Sequence, residues 1–564
     1  MFSSDVETPL PWIAAGILST IFLHKKVLRG DVALFLEGTL FLAIILTHHF
    51  VDNADLLASC SLATSAIFSH ITSITLATIA YRLSPFHPLW NFKGPLINKI
   101  TSFAMLYVVW TGKRHLYIDA LHRKYGKFVR TGPNTLSINS HEAIGPIYAS
   151  ASALDKSAAY TPGRLKGTGL FFIRSKADHN TRRRLWAGAF TPQALEEDKS
   201  ILEKRTFELK TCVRDRRDTG GIVDLGEAIQ HWSYAVMVRI ILLIYASGDQ
   251  SPKGDLTFGG SDRLELMRDG DPEGLVESGH KATLTFECVI PSIHTSELGV
   301  FIFDILSYFP VTGKLKRLEK VAEELLAERE KENRPHSTDI FVSKIYFIFP
   351  IDLPSDQSNP NTSGSDTTST VIIYLLFLVI SNKHAYERLR EELDANFSDP
   401  DEPISISALA SLPYLNAVVN EALRLGSPFP GWPRVTPKGG MVIADTYIPG
   451  EMIVGVNPYV QGTSGENFYP DPTAYKPERW LPGGLGPGTL TRKSAIMSFS
   501  FGAFGCLGRN LAILELQIVT VRLMLAFDFA LPSTFDTQKF LDGVENMRTT
   551  HFRYPLKVIA TPRV

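Results

Sequence analysis

The chain has 564 residues, with 57 Lys and Arg against 58 Asp and Glu and a net charge of −1. With no long basic run either, it lacks the electrostatic footprint of a nucleic-acid binder, so no nucleic acid is expected as a partner. Cys60, Cys212, Cys288 and Cys506 stand too far apart for a disulfide framework or a zinc site, which points to a reduced, cytosolic catalytic part.

Residues 9–23, 32–51 and 56–80 are apolar, the last two near the length that crosses a bilayer. The first is as short as a signal-peptide core. His24, Lys25, Lys26 and Arg29 follow it rather than a small-residue cleavage site, so it reads as an anchor. Those basic residues mark a cytosolic loop, Asp52 and Asp55 fall in the next loop, and Arg82, Lys93 and Lys99 follow the third stretch. This pattern places the C-terminal bulk in the cytosol. Glu37 is costly in lipid and the third stretch is rich in Ser and Thr, which leaves one, two or three crossings open. Residues 1–80 are therefore expected to form a membrane anchor of up to three transmembrane helices. In 81–95 (YRLSPFHPLWNFKGP), Pro85, Pro88 and Pro95 cannot continue a helix and predict a stiff, extended hinge; 96–564 follow as one catalytic domain.

Within that domain, 115–125 has the spacing of a short amphipathic helix, and 128–138 alternates around Gly132, Pro133 and Asn134 like a hairpin. His179 and Arg183, four apart in HNTRRR, share one helical face, and a face with two cations suits carboxylates. Residues 196–216 and 225–245 carry helical periodicity, whereas 247–279 is rich in Gly, Asp and Ser. Ser365, Asp366, Thr367 and Thr368 precede an apolar run over 371–380 and read by themselves as a helix N-cap. Glu421 and Arg424 are three apart on an apolar helix over 412–425, by itself an ordinary pair on a helix surface.

The most informative stretch is 498–512 (SFSFGAFGCLGRNLA). Gly502, Gly505 and Gly508 flank Cys506 and let a flat ligand lie close to the main chain. An apolar helix from Leu507 puts Cys506 at its positive end, which favours a thiolate. A lone cysteine is otherwise more often a buried apolar thiol.

This stretch resembles the haem loop of the cytochrome P450 family, Phe-x-x-Gly-x-Arg-x-Cys-x-Gly, with Phe499, Gly502, Cys506 and Gly508 in register. Phe504 stands where the family has an arginine or histidine on a haem propionate. The resemblance runs from the hinge to the end. It implies a mainly α fold with small β-sheets, preceded by N-terminal transmembrane helices. It also implies haem b (iron protoporphyrin IX), with Cys506 as the only protein ligand to the metal. His179 and Arg183 align with the family's propionate-binding helix, and Arg434 of Pro433-Arg434 with its strand arginine, so these three are expected to replace what Phe504 lacks. Glu421 and Arg424 match Glu-x-x-Arg and are expected to join Arg479 of Pro477-Glu478-Arg479-Trp480 in a buried triad that fixes the haem face. Gly364, Asp366, Thr367 and Thr368 match the oxygen-site motif of the central helix, where Asp366 and Thr367 would relay protons. Upstream, Pro350, Pro354 and Pro360 forbid the helical turns that the family places there. Either that helix starts late or residues 347–361 are a translated intron; the second explains why the motifs on both sides stay in register.

The implied reaction is monooxygenation, in which R–H, O2, two electrons and two protons give R–OH and water. A thiolate ligand favours cleavage of a bound O–O bond. No flavin or nicotinamide fingerprint is present, so electrons are expected from a separate NADPH-cytochrome P450 reductase. The expected location is the endoplasmic reticulum membrane with the catalytic domain facing the cytosol. HNTRRRLWAGAFTPQAL and the long anchor are similar to basidiomycete fungal members. That implies a lipophilic small-molecule substrate (terpenoid, steroid-like or polyaromatic) in secondary metabolism or detoxification. Two other readings stay open: a haem-thiolate isomerase or dehydratase, which typically lacks the acid-threonine pair, and an inactive membrane haem protein, motivated by Phe504 and the proline-broken segment.

Overall fold

The computed structural model describes residues 9–24, 30–149, 154–157, 160, 170–171, 173–187, 190–246, 266–271, 274, 276, 305, 360–546 and 550–563. The N-terminal apolar stretches form helices α1 (Leu10–Leu23), α2 (Gly30–Phe50) and α3 (Leu56–Leu83). Of these, α2 and α3 are long and apolar enough to cross a membrane, whereas α1 is shorter. Asp55 caps α3 by accepting from the Leu57 amide at 3.0 Å. His48 Nδ1 lies 3.0 Å from Ser59 Oγ, and Glu37 meets His70 at 3.1 Å, so α2 and α3 pair as an antiparallel hairpin. Glu37 thus has a partner that hydropathy alone does not reveal. His70 also reaches Ser19 of α1 at 3.1 Å. A Cβ on Gly16 would lie 1.9 Å from Ser73 Oγ, so only glycine allows α1 to approach α3 this closely.

The segment after α3 is not the extended hinge expected from its prolines. It folds as successive turns, with the amides of His87, Trp90 and Phe92 donating three residues back to Ser84, His87 and Leu89. Proline removes the donor that a helix needs, but turns of this kind need donors only at the residues between prolines. Leu89 is fully buried, and Arg130 donates to the Arg82 and Pro133 carbonyls and meets His87 at 3.3 Å. Burial and the neighbouring Arg130 push the His87 pKa down to about 4. It is therefore neutral, with Nδ1 accepting from the Leu89 amide at 3.0 Å and the ring proton left on Nε2, which donates to Asn134 Oδ1 at 3.2 Å.

Beyond helix α4 (Arg114–Tyr125), β1 (Phe128–Gly132) and β2 (Thr135–Ile138) form the expected hairpin. A four-stranded sheet is completed by β3 (Arg434–Val435) and β4 (Ile453–Gly455), with β2 parallel to β4 and β3 antiparallel to it. A second sheet joins Phe527–Ala530, Lys557–Pro562 and Ile222–Asp224. The rest is helical: α5 (Lys176–Ala187), α6 (Pro192–Asp215), α7 (Leu225–Ala246), α8 (Pro360–Ser381), α9 (Lys383–Asn396), α10 (Pro413–Leu425) and α11 (Arg509–Ala526). Helix α6 starts before the periodic stretch at 196, because Thr191 caps it through the Ala194 amide and Pro192 suits its first turn.

From Val371 on, helix α8 is apolar all round and runs through the main core, packed against α7, α10 and α11. Ile372, Leu375, Leu376 and Val379 are fully buried there beside Trp232, Val419 and Leu523. Helix α8 begins at Pro360, where a proline needs no amide donor, so Ser365 to Thr368 lie inside the helix rather than capping it. The proline-rich 347–359 and most of 247–279 lie outside the described residues, as does Cys288.

Candidate functional site

Cys506 sits in a loop whose shape its glycines impose. The Cys506 amide donates to the Phe499 carbonyl at 2.8 Å and the Gly505 amide to the Gly502 carbonyl at 3.0 Å, closing two nested turns ahead of α11. Gly502 has φ +63°, and a Cβ there would lie 2.4 Å from the Tyr148 carbonyl oxygen. The loop is therefore pressed against residues 145–149. At Gly508 an added Cβ would make only ordinary contacts, with the Phe190 ring at 3.7 Å and Cys506 Sγ at 4.0 Å. Phe499 packs on the main core beneath the loop.

The Cys506 side chain is accessible, yet protein surrounds it closely enough that burial pushes its thiol above the ordinary value. The sulfur therefore faces inward space. The Gly508 amide, Arg183 and Arg509 pull the other way without winning, so a helix terminus does not by itself make this group a thiolate. A bound metal ion changes that balance, since a coordinated thiol loses its proton outright.

Beside the loop, three basic side chains gather around one aromatic ring. Phe504 has Lys156 Nζ at 4.7 Å from its ring centroid, Arg434 Cζ at 4.9 Å and the His179 ring edge-on at 4.7 Å. All three bases are buried, at 4%, 1% and 3% exposure. Burial, with each other's charge second, pushes the Lys156 pKa down to about 6 and that of His179 to about 3. Among the described residues no carboxylate pairs with any of them. Arg434 Nε and His179 Nδ1 have no hydrogen-bond partner. Buried cations without an anion are costly, so this cluster fits an anionic group on a flat ligand lying against Cys506. Arg183, expected with His179, instead donates through Nη1 to the Gly505 carbonyl next to Cys506.

Glu421, Arg424 and Arg479 come together as fully buried side chains. Glu421 accepts from Arg424 at 2.7 and 2.8 Å and from Arg479 at 3.0 Å. It also accepts from Trp480 Nε1 and from the Lys476 amide, both at 2.9 Å. One carboxylate cannot neutralise two guanidiniums. Carbonyls do the rest: Gly462, Pro472 and Ala474 accept from Arg424, and Pro470 and Asp471 from Arg479. The network fastens α10 to the 470–480 segment, and Ser498 ties the start of the cysteine loop to the same helix by donating to the Leu423 carbonyl at 2.9 Å.

On α8, Asp366 lines a small polar pocket with Gln230, Tyr234, Ser369, Thr370 and His551. Burial first, and then the charge of Asp366, pushes the Tyr234 hydroxyl well above its usual range. Thr367 is half-buried on the next position, and Gly364 lies one turn earlier in α8.

Sequence reading missed three residues here. Lys156 carries no periodic or motif signal in LDKS, and only its contacts mark it. Trp480 follows a motif without announcing its indole bond. Glu515 is buried on α11, its carboxyl pushed up to about 8 by burial and bonded by Thr368 of α8. A glutamate in an otherwise apolar helix was the available signal.

A family model described as "Cytochrome P450" matches residues 358–551. A tryprostatin B 6-hydroxylase of Neosartorya fischeri is 28% identical over 498 residues, covering 86% of this chain and 84% of its own. The cytochrome P450 monooxygenase lcsK of Purpureocillium lilacinum is 28% identical over 92% of this chain and 91% of its own. The monooxygenase sthD of Phaeosphaeria nodorum is also 28% identical, over 84% and 95% respectively.

Proposed function

This chain belongs to the cytochrome P450 family, and we propose that it hydroxylates a lipophilic terpenoid, steroid-like or polyaromatic compound of secondary metabolism or detoxification. The observation that carries this is Cys506, accessible inside the protein between Gly505 and Leu507 and set beside a buried basic cluster without a carboxylate. Haem b is the cofactor this arrangement suits: Cys506 would hold its iron, and His179 and Arg434 its propionates. Bound haem-thiolate iron supplies the activation of oxygen and the oxidation itself. The chain's own residues do the rest. Gly502 lets the loop pack against the Tyr148 backbone, Gly508 leaves only ordinary contacts beside Cys506, and the Arg183 bond fixes the Gly505 carbonyl. The Glu421, Arg424 and Arg479 network fixes α10 against the 470–480 segment, and the Ser498 bond ties the start of the loop to α10. Asp366 and Thr367 hold and pass protons at the turn of α8 that opens on the polar pocket.

The chain carries no flavin or nicotinamide fingerprint, so we assign electron supply to an NADPH-cytochrome P450 reductase. The two apolar helices α2 and α3 support attachment to a membrane, and we assign that membrane to the endoplasmic reticulum, with the catalytic part in the cytosol on the side of the basic residues that flank the anchor. Expression in microsomes with such a reductase, followed by a panel of terpenoid, steroid and polyaromatic compounds, tests the reading. Substrate-dependent NADPH consumption with a product heavier by one oxygen is the expected result. Turnover that changes a substrate without taking up oxygen would replace it with isomerase or dehydratase chemistry.

A further inference from the structure

We propose that Lys156 takes the place of the basic residue missing from the cysteine loop at Phe504, and binds a haem propionate. The inference rests on the haem reading above and deepens it.

The geometry is that of an exchange between two positions. Lys156 forms an isolated antiparallel bridge with Arg434, so the backbone holds the two bases side by side. The Val435 amide donates to the Asp155 carbonyl at 3.0 Å, which fastens the same register. The Lys156 ammonium donates to the Phe171 carbonyl at 2.6 Å and the Leu170 carbonyl at 3.4 Å. An ammonium has three donors, so one is left for a ligand. Tyr160 and Phe171 flank the ammonium at 5.2 and 5.5 Å from their ring centroids, and Phe504 forms the third aromatic wall at 4.7 Å. An arginine or histidine at 504 would crowd Lys156, His179 and Arg434 with a fourth base. A phenylalanine there instead offers its ring to Lys156 and Arg434 and leaves the positive charge to residues outside the loop. The two positions thus form a pair in which only one carries charge.

The test compares wild type with Lys156→Met, Lys156→Arg, and the exchange variant Lys156→Met combined with Phe504→Arg. The readouts are haem per protein after purification and the rate at which haem passes to apomyoglobin. Lys156→Met is expected to release haem about tenfold faster or more, the loss of one charge-assisted hydrogen bond, while its ferrous carbon monoxide spectrum stays of the thiolate type. Lys156→Arg should stay close to wild type, and the exchange variant should recover most of the lost retention. Haem dimethyl ester, which has no carboxylates, reads the same contact without a substitution: in wild type it should be released faster than haem. A wild-type release rate in Lys156→Met, equal release of haem and its ester from wild type, or no recovery in the exchange variant overturns the assignment of Lys156. A wild-type protein without a thiolate-type spectrum overturns the haem reading itself, which tells the two failures apart.

Discussion

Glu421 answers two guanidiniums while fully buried, and everything around it is arranged to make that tolerable. Removing its charge strands both, so Glu421→Gln is expected to cost about 3–5 kcal/mol. Thermal unfolding followed by circular dichroism reads this directly, and a midpoint equal to wild type would contradict the network's role. Cys506→Ser should abolish the thiolate-type carbon monoxide spectrum, whereas Cys212→Ser, buried in the core far from any motif, should leave it intact. The basic cluster yields a pH dependence with a definite sign. Lys156 titrates near 6 and His179 near 3 in the protein as it stands, both lowered mainly by burial. A dianion bound between them favours their charged forms, so binding takes up protons. The advantage of haem over its dimethyl ester should therefore grow as pH falls from the ordinary lysine range toward about 6. Comparing haem with its ester cancels the opposite proton release from Cys506, and the permanently charged Arg434 and Arg183 add no slope. Lys156→Met should flatten the difference between pH 6 and 8.

At the scale of elements, the cysteine loop depends on a backbone that only glycine adopts at 502. Gly502→Ala has to accept both a positive φ, costing about 1–2 kcal/mol, and a Cβ against the Tyr148 carbonyl. Gly508→Ala meets only ordinary contacts. The expected order of haem content is wild type, then Gly508→Ala, then Gly502→Ala, and the reverse order of the two variants would refute this account of the loop. Helix α8 presents the other element-level question, because it starts at Pro360. Extending it back through Pro350 and Pro354 would place prolines in its interior at about 3 kcal/mol each. Sequencing the transcript across codons 340 to 365 decides between a late-starting helix and a retained intron: a mature message that encodes 347–361 unchanged removes the intron.

For the molecule as a whole, α1, α2 and α3 are joined by polar contacts, Ser19 and Glu37 both meeting His70. Such groups are expensive in lipid unless they meet each other, so the bundle is expected to assemble around His70. Cysteines replacing Ser19 and His70, whose side chains meet between α1 and α3, should be bridged by a short bismaleimide in isolated membranes, and Gly16→Leu, which drives a side chain against Ser73, should abolish that bridge. The sequons at Asn361 and Asn396 test topology independently. Asn396 is exposed at the end of α9, so a cytosolic catalytic domain predicts that glycosidase treatment causes no mass shift.

The motifs were legible in the chain because each depends on local chemistry: glycines around Cys506, the three-residue spacing of Glu421 and Arg424, and apolar stretches long enough for a bilayer. The hairpin at 128–138 and the helices at 225–245 and 412–425 were legible for the same reason, since periodicity is itself a local property. The hinge was not, because prolines exclude a helix without distinguishing an extended chain from the turns that Arg130 and Leu89 hold against the sheet. Nor was Lys156, whose role exists only because a strand bridge to Arg434 brings it to Phe504 from almost 350 residues away in sequence. Sequence reading likewise paired Arg183 with His179 by their shared helical face, whereas packing turned Arg183 to the Gly505 carbonyl. Which charges meet, and which are left to meet a ligand, depends on how distant segments pack; spacing along one helix or strand carries no record of it.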